Sequence, residues 1–443
     1  MSAPNVLSPQ RRAEVLDALR RGTVPATALD VLAVGLERFE PTLREELAQV
    51  KLGRGLFKAV RGEYGTGKTF FARWLQELAL RQGFATAEVQ VSEVDTPLHR
   101  LEAIYRRSIE RLTTTDARGG ALRSVVDGWF YALEEEVLAS GKVPTDDEAR
   151  LVEATSELME SRLDAVTRHA PAFAACLRGY RRSLLAGNDE VAQRLLAWLG
   201  GSPTVSASIK REAGLKGELD HVAAMAFFQG LLVMLRDAGQ AGLVLVLDEV
   251  ETIQRVRGDV RERALNAIRQ LMDEVDAGRY PGLYLLVTGT PAFYDGPQGV
   301  QRLQPLAQRL HVDFTTEPRF DNPRAVQIRL SNFDQARLEE VGRRVRDLFA
   351  DGAGDPSRIR HVVDDAYIAT LARAVAGGLG GKVGVAPRIF LKKLVGDVLD
   401  RVDQFPDFDP RRDYALTLSD NELTAAEREA RPASSVDDVE LPS

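Results

Sequence analysis

Eight consecutive residues carry the clearest chemical signal in the chain. They fit the pattern G-x-x-x-x-G-K-[ST] at every fixed position: Gly62, Glu63, Tyr64, Gly65, Thr66, Gly67, Lys68 and Thr69. Glycines let successive backbone N–H groups curl around a polyanion, Lys68 offers a charge to the outer phosphates, and Thr69 offers a hydroxyl to Mg²⁺. The sequence therefore predicts a nucleoside triphosphate site built from these eight residues, with ATP and Mg²⁺ as ligands.

An apolar run that ends in acids predicts the second half of the same site. Residues 243–247 are all Leu or Val, and Asp248 and Glu249 follow directly. Such a run is typical of a central parallel strand covered on both faces. We expect Asp248 to share the Mg²⁺ with Thr69, and Glu249 to act as general base toward the attacking water. The alternative is a pair of acids that merely ends a buried strand at the surface.

A third apolar run, residues 283–287, ends at Thr288. Its polar end should lie between the phosphate loop and the acidic pair, as in the additional-strand class of NTPases. There a small polar residue helps to hold the water and the γ-phosphate, so Thr288 is a sensor candidate. The alternative is a threonine that only leads the strand into a turn at Pro291.

The elements around these motifs predict an α/β fold with a three-layer parallel sheet over residues 55–320. We expect strands at 56–60 and 86–91, and a helix from Thr69 to Gln82 that Gly83 ends. Asp248 comes 180 positions after Lys68, although a βαβ unit needs only about 30 residues. Residues 98–217 therefore form a predicted helical insertion, with Trp129 and Trp198 in its core. The insertion could bind partners or DNA, or could brace the fold.

The flanking segments are predicted to be helical. An N-terminal segment, 1–54, should hold helices at 11–21 and 31–50. A lid, 321–402, should hold helices at 332–350, 364–376 and 387–402. The tail, 403–443, contains eleven acids and four bases, while residues 1–402 are balanced in charge. We expect the tail to be partly disordered, with one helix possible at 414–428, and to compete with DNA or simply to aid solubility.

Composition narrows the protein class. The single cysteine, Cys176, excludes an internal disulfide and suits a buried position in a reducing compartment. None of the five histidines has metal-ligand spacing, so we expect no zinc. No signal peptide pattern and no run of roughly 18 apolar residues is found, which predicts a cytoplasmic, soluble protein. Two arginine clusters, at 106–111 and 255–269, are interleaved with acids, as on solvated helices.

These motifs together resemble those of the AAA+ ATPases, and the resemblance implies roles for two arginines. Arg309, in Leu306-Ala307-Gln308-Arg309-Leu310 before a strand-like segment 311–314, stands where AAA+ proteins carry an arginine finger for a neighbouring subunit's nucleotide. Arg388, in Gly384-Val385-Ala386-Pro387-Arg388, is similar to the sensor 2 arginine of the AAA+ lid. The alternative for both is a solvated charge or a surface ion pair.

A narrower resemblance spans most of residues 10–400. The N-terminal Leu19-Arg20-Arg21-Gly22-Thr23-Val24-Pro25, the phosphate loop and the Ala241-Gly242-Leu243 entry to the acidic strand are similar to the BrxD-like ATP-binding proteins of BREX phage-defence systems. The resemblance implies ATP hydrolysis linked to double-stranded DNA, beside a methyltransferase and a phosphatase-like subunit, in an ATP-bound homo-oligomer. A switch that binds ATP without hydrolysis and a scaffold that recruits partners are the alternatives. No winged-helix pattern follows the lid.

Overall fold

A five-stranded parallel sheet organises the protein. The computed structural model describes residues 7–418 apart from 142, 145, 204, 216–217 and 379–385. The strands are β1 (Leu56–Arg61), β2 (Ala85–Gln90), β3 (Leu243–Asp248), β4 (Leu283–Gly289) and β5 (Gln327–Arg329), in the spatial order β2-β3-β4-β1-β5. The predicted α/β fold is confirmed. Because β4 lies between β1 and β3, the third apolar run ends between the phosphate loop and the acidic pair, as predicted.

Both faces of the sheet are covered, which explains the uninterrupted aliphatic runs. Every residue of β3 and β4 is buried. Leu245 and Leu247 contribute to a core on one face, whereas Val244 and Val246 contribute to a core on the other. The alternation follows from the period of two in a strand. The result is three layers with the sheet in the middle.

Before β2, the described residues form three α-helices. They are α1 (Pro9–Arg20), α2 (Glu40–Lys51) and α3 (Lys68–Leu80). The predicted helix at 31–50 was wrong in its first part, since only a 3₁₀ turn at Leu29–Val31 precedes α2. Gly35 has a φ of 76° and Pro41 is suited to the first turn of a helix, so the helix begins at Glu40.

In the part of the chain that the structure describes, seven α-helices lie between β2 and β3. They are α4 (Leu101–Glu110), α5 (Leu122–Ala139), α6 (Glu148–His169), α7 (Pro171–Leu185), α8 (Asp189–Leu199), α9 (Ala207–Glu212) and α10 (His221–Asp237). Trp129 and Trp198 are buried, as predicted. The Phe227 ring on α10 meets the rings of Trp198 and Tyr105 edge-on, at 5.5 and 5.7 Å between centroids. These rings belong to the same apolar core as β3, so the helices brace the sheet directly.

Cys176 lies in this helical core and is buried. Its Sγ contacts the backbone carbonyl of Leu195 at 3.1 Å, and burial raises the pKa of the thiol. The predicted buried role of Cys176 is therefore confirmed.

Helix α11 (Gly258–Asp276) connects β3 to β4, and α12 (Pro291–Asp295) and α13 (Gln304–Leu310) follow β4. The predicted strand at 311–314 was wrong, and the fifth strand, β5, lies further along the chain. The Asp313 carboxylate accepts a hydrogen bond from the Thr315 backbone at 2.8 Å and turns the chain there. The Phe314 ring lies under the guanidinium groups of Arg61 and Arg329.

The last helices pack with α1 around an apolar core of their own. They are α14 (Gln335–Ala350), α15 (Pro356–Val362), α16 (Asp365–Gly378), α17 (Ala386–Lys392), a π-helical stretch (Lys393–Leu399), α18 (Asp400–Gln404) and α19 (Pro410–Asp413). Val15, Leu16 and Leu19 of α1 share one apolar core with these helices, whereas α2 packs on the sheet. Helix α1 thus packs against the C-terminal helices rather than against the sheet.

The helix predicted from Tyr414 was wrong at its start. Residues 414–418 are not helical, and the Tyr414 hydroxyl bonds to Asp397 at 3.0 Å. The rest of that predicted helix and of the acidic tail lies outside the described residues. No helix in the described part of the chain is long and apolar enough to cross a membrane.

Candidate functional site

The loop between β1 and α3 has the backbone that a phosphate cradle needs. Gly65 and Gly67 have φ values of 82° and 91°, which L side chains rarely adopt. A Cβ on Gly62 would lie 2.4 Å from Thr66 Oγ1, so the first glycine is required by close packing. The two glycines that the pattern fixes, Gly62 and Gly67, and the additional Gly65 are therefore explained by the loop's own geometry. The following helix, α3, begins at Lys68 and directs its N-terminal N–H groups toward the loop.

Lys68 is folded back over this loop. Its Nζ donates hydrogen bonds to the carbonyl oxygens of Gly62 at 2.9 Å and Glu63 at 3.3 Å, and it lies 5.0 Å from the centre of the Tyr64 ring. The lysine is buried. Its ammonium group is thus already placed inside the curve that anionic oxygens would occupy.

Asp248 joins three elements at the carboxyl edge of the sheet. Its Oδ2 accepts a hydrogen bond from Thr69 Oγ1 at 2.8 Å, and its Oδ1 accepts one from Thr288 Oγ1. Burial raises the pKa of Asp248, while the bonds from Thr288 and Thr69 oppose the shift. Carboxylate and hydroxyl oxygens are ligands that Mg²⁺ accepts, so Thr69 and Asp248 fit the predicted metal role chemically.

Glu249 has an unusual backbone at the end of β3. Its φ is 60° and its ψ is 42°, a left-handed conformation that is uncommon for a residue other than glycine. The Glu249 N–H donates to Thr288 Oγ1 at 3.2 Å, so Thr288 contacts both acids. The Glu249 Oε2 accepts a hydrogen bond from Gln90 Nε2 at 2.8 Å. After this turn the two neighbouring acids contact different elements. The Asp248 carboxylate contacts α3 and β4, whereas the Glu249 carboxylate contacts β2.

Two residues of this edge were missed from sequence. Gln90 is the last residue of β2 and holds the Glu249 side chain. The sequence did contain a signal for Gln90, because it is a polar residue at the carboxyl end of a predicted strand. Glu251 lies two positions after Glu249 in a 3₁₀ turn, and its carboxylate is 3.7 Å from Lys68 Nζ. Burial raises the pKa of Glu251, and Lys68 opposes this shift.

The two predicted arginines lie apart from this cluster. Arg309, in the last turn of α13, forms ion pairs with Asp273 and, at 3.7 Å, with Asp276 of α11. Arg388, in the first turn of α17, is partly buried, and its guanidinium lies beside Gly22, where a Cβ would be 3.3 Å from Nη1. The structure thus places Arg388, on one of the C-terminal helices, beside the segment that follows α1.

The fold and the geometry of this edge define a P-loop nucleoside triphosphate-binding protein: a Gly-rich loop between strand and helix, with an acidic strand end bonded to the helix. The chain belongs to the BREX system ATP-binding protein BrxC/D family, whose model matches residues 7–418. A search of curated proteins gave no significant match. The family match confirms the resemblance and makes this an ATP-binding protein associated with BREX phage defence.

Proposed function

We propose that the protein is a Mg²⁺-dependent ATPase of the AAA+ class that couples ATP binding and hydrolysis to DNA or to assembly of a defence complex. The observation that carries the proposal is the placement of Asp248. Its two oxygens contact Thr69 of the phosphate loop and Thr288 of β4, with Glu249 next in the chain. These contacts support the proposal, because they hold the phosphate loop, Asp248 and Thr288 together at one edge of the sheet.

Nucleotide binding uses the loop and Lys68. The N–H groups of residues 62–69 enclose the phosphates, and Lys68 moves from the loop carbonyls to the outer phosphate oxygens. Thr69 and Asp248 would hold the Mg²⁺. When bound, the ion would neutralise charge that develops on the phosphate oxygens. Arg388, placed between the lid and the N-terminal segment, closes over the nucleotide of its own chain.

Hydrolysis uses Glu249 and Thr288. Glu249 takes a proton from the attacking water, and Thr288 fixes both the Glu249 backbone and the Asp248 carboxylate. Gln90 holds the Glu249 carboxylate toward β2, away from Asp248, until the substrate is in place. Arg309 completes the site of a neighbouring copy by stabilising charge on the transferred phosphoryl group.

Double-stranded DNA, a methyltransferase and a phosphatase-like subunit are the proposed partners, on the strength of the family. Local charge favours only weak, salt-sensitive DNA contacts. Arg257 and Arg263 pair with Asp259, and Arg107 pairs with Glu110. These pairs support the interpretation of both arginine clusters as solvated helix faces with local ion pairs. DNA would have to compete with these acids for the same arginines.

Lys68→Ala tests the binding half of the proposal. We expect the variant to lose tight ATP binding, because the ammonium is the one charged group that the loop offers to phosphate. Titration with a fluorescent ATP analogue measures this. The matched control is Lys51→Ala, which removes an exposed lysine at the end of α2. Equal affinity in the parent and in both variants would refute the assignment of the loop.

Steady-state turnover tests the enzymatic half. ATP hydrolysis should require Mg²⁺ and should be measured with and without duplex DNA, alongside light scattering on the same samples. Turnover that rises with assembly supports the proposal. Tight ATP binding without turnover in every sample would favour the switch that binds ATP without hydrolysis.

A further inference from the structure

Glu251 departs from the general rule that buried acids are hydrogen-bonded to other residues. Its side chain is 3% exposed, and neither carboxylate oxygen accepts a hydrogen bond from another residue. Buried polar groups are nearly always hydrogen-bonded, and an unpaired buried charge is costly. The residue also lies in a short 3₁₀ turn directly after the strained Glu249. In its ionised form, Glu251 therefore needs a compensating charge.

That compensating charge is Lys68. The distance from Glu251 Oε1 to Lys68 Nζ is 3.7 Å, which allows attraction between charges but not a hydrogen bond. The lysine's hydrogen bonds go to the carbonyls of Gly62 and Glu63. Asp248 and Glu249 also act electrostatically on Glu251, with the same sign of charge. Three acids and one lysine therefore meet at a site to which polyphosphate must bind.

We propose that Glu251 is a positioning residue for Lys68: it holds the ammonium group in the nucleotide-free site and competes with the phosphates for it. The inference rests on the proposed nucleotide-binding function of the loop. Arrival of the phosphates draws Lys68 away and leaves Glu251 buried near like charge. Glu251 thus weakens nucleotide affinity, and it weakens the affinity for ATP more than that for ADP because ATP carries more negative charge.

Nucleotide binding by Glu251 variants tests the proposal. Glu251→Gln keeps the shape and removes the charge, so the dissociation constant for ATP should fall on the order of tenfold, and that for ADP by less. The KM should fall with it while kcat stays within about twofold. Glu251→Asp keeps the charge and should retain the affinity of the parent. The control is Glu262→Gln, which removes an exposed acid from α11. Folded Glu251→Gln that binds ATP no tighter than the parent would overturn the proposal.

A second measurement needs no nucleotide. In the nucleotide-free protein, Lys68→Ala should lower the unfolding temperature, because it leaves Glu251 buried without a counter-charge. Adding Glu251→Gln to Lys68→Ala should restore much of that loss, so the two changes are not additive. Additive changes would show that the two side chains do not interact, and would reject the proposal. If the parent binds no nucleotide, the proposed function fails, while this cycle still decides the role of Glu251.

Discussion

Two regions of the molecule are organised in opposite ways. One is the carboxyl edge of the sheet, called the inner edge below, and the other is the surface around the exposed Arg309 of α13, called the outer region. At the inner edge, Asp248 and Thr288 are buried and bonded to each other across neighbouring strands. Arg309 has 42% of its side chain exposed and pairs with acids of an adjacent helix. The inner groups are positioned by the fold itself. An arginine that acts on another copy has to be held where a neighbour can reach it, and its own chain supplies acids that the neighbour must outcompete.

The largest expected effect comes from the outer region. Arg309→Ala should bind ATP normally but lose about 10³-fold or more of its assembly-dependent turnover, because an arginine finger stabilises transition-state charge. An Arg309→Ala chain mixed with a Lys68→Ala chain should regain part of the lost ATP turnover. Such recovery would strongly support the contrast between the two regions. Each chain then supplies the group that the other lacks.

The mixing experiment needs proof of co-assembly, which light scattering provides. Arg302→Ala is a suitable control, since Arg302 is also exposed and lies one turn before α13. If co-assembled mixtures show no recovery, Arg309 is a surface arginine paired with Asp273, and the contrast between the two regions has no functional meaning.

At the inner edge, Glu249→Gln should retain ATP binding and lose turnover. The amide keeps the shape but cannot accept the proton of water, and loss of a general base costs roughly 10²–10⁴ in rate. Binding by fluorescence and hydrolysis by phosphate release should be measured on the same preparation. Unchanged steady-state hydrolysis would remove Glu249 from its role.

The same contrast explains what sequence could predict. The loop, the acidic strand and the position of β4 follow from local patterns, since glycines at positive φ and uninterrupted aliphatic runs have few other uses. The helix predicted from residue 31 was wrong because its apolar residues pack in irregular chain before Glu40. The strand at 311–314 was wrong because Phe314 packs against arginines that are distant in sequence.

Contacts between residues that are distant along the chain could not be predicted from the sequence, for a similar reason. Gln90 lies 159 positions from Glu249, and Lys68 lies 183 positions from Glu251, so only the strand order brings each pair together. Short strands leave little pattern, and the three residues of β5 could not be recognised at all. The chemistry of single residues was therefore predictable, whereas their partners required the fold.

A smaller effect is expected at Gln90. Gln90→Ala should raise basal hydrolysis by about threefold to tenfold, because the loss of one hydrogen bond to a charged group frees Glu249 to reach water. Turnover at saturating ATP measures this, and the dissociation constant for ATP should not change. Gln90→Asn, which keeps the amide on a shorter side chain, is the matched control. A fall in turnover would mean that Gln90 holds Glu249 in its working position.

The smallest effect is expected from loosening the outer pair. Asp273 also accepts a hydrogen bond from Arg269 at 3.2 Å through Oδ2, while its buried Oδ1, which faces Arg309, accepts none of regular geometry. The Arg309 pair is thus a charge contact that a neighbour's phosphates can replace. Asp273→Asn should change the free energy of unfolding by less than about 1 kcal/mol, because the Arg309 end of the pair is exposed and solvent screens the attraction. It should also raise turnover of the assembled protein about twofold, since Arg309 is released more easily. Denaturant unfolding and concentration-dependent turnover measure the two effects, with Asp276→Asn as the control for the longer contact. A decrease in turnover without a change in stability would show instead that Asp273 aims Arg309 at the neighbouring site, and the outer region would then be positioned by the fold as firmly as the inner one.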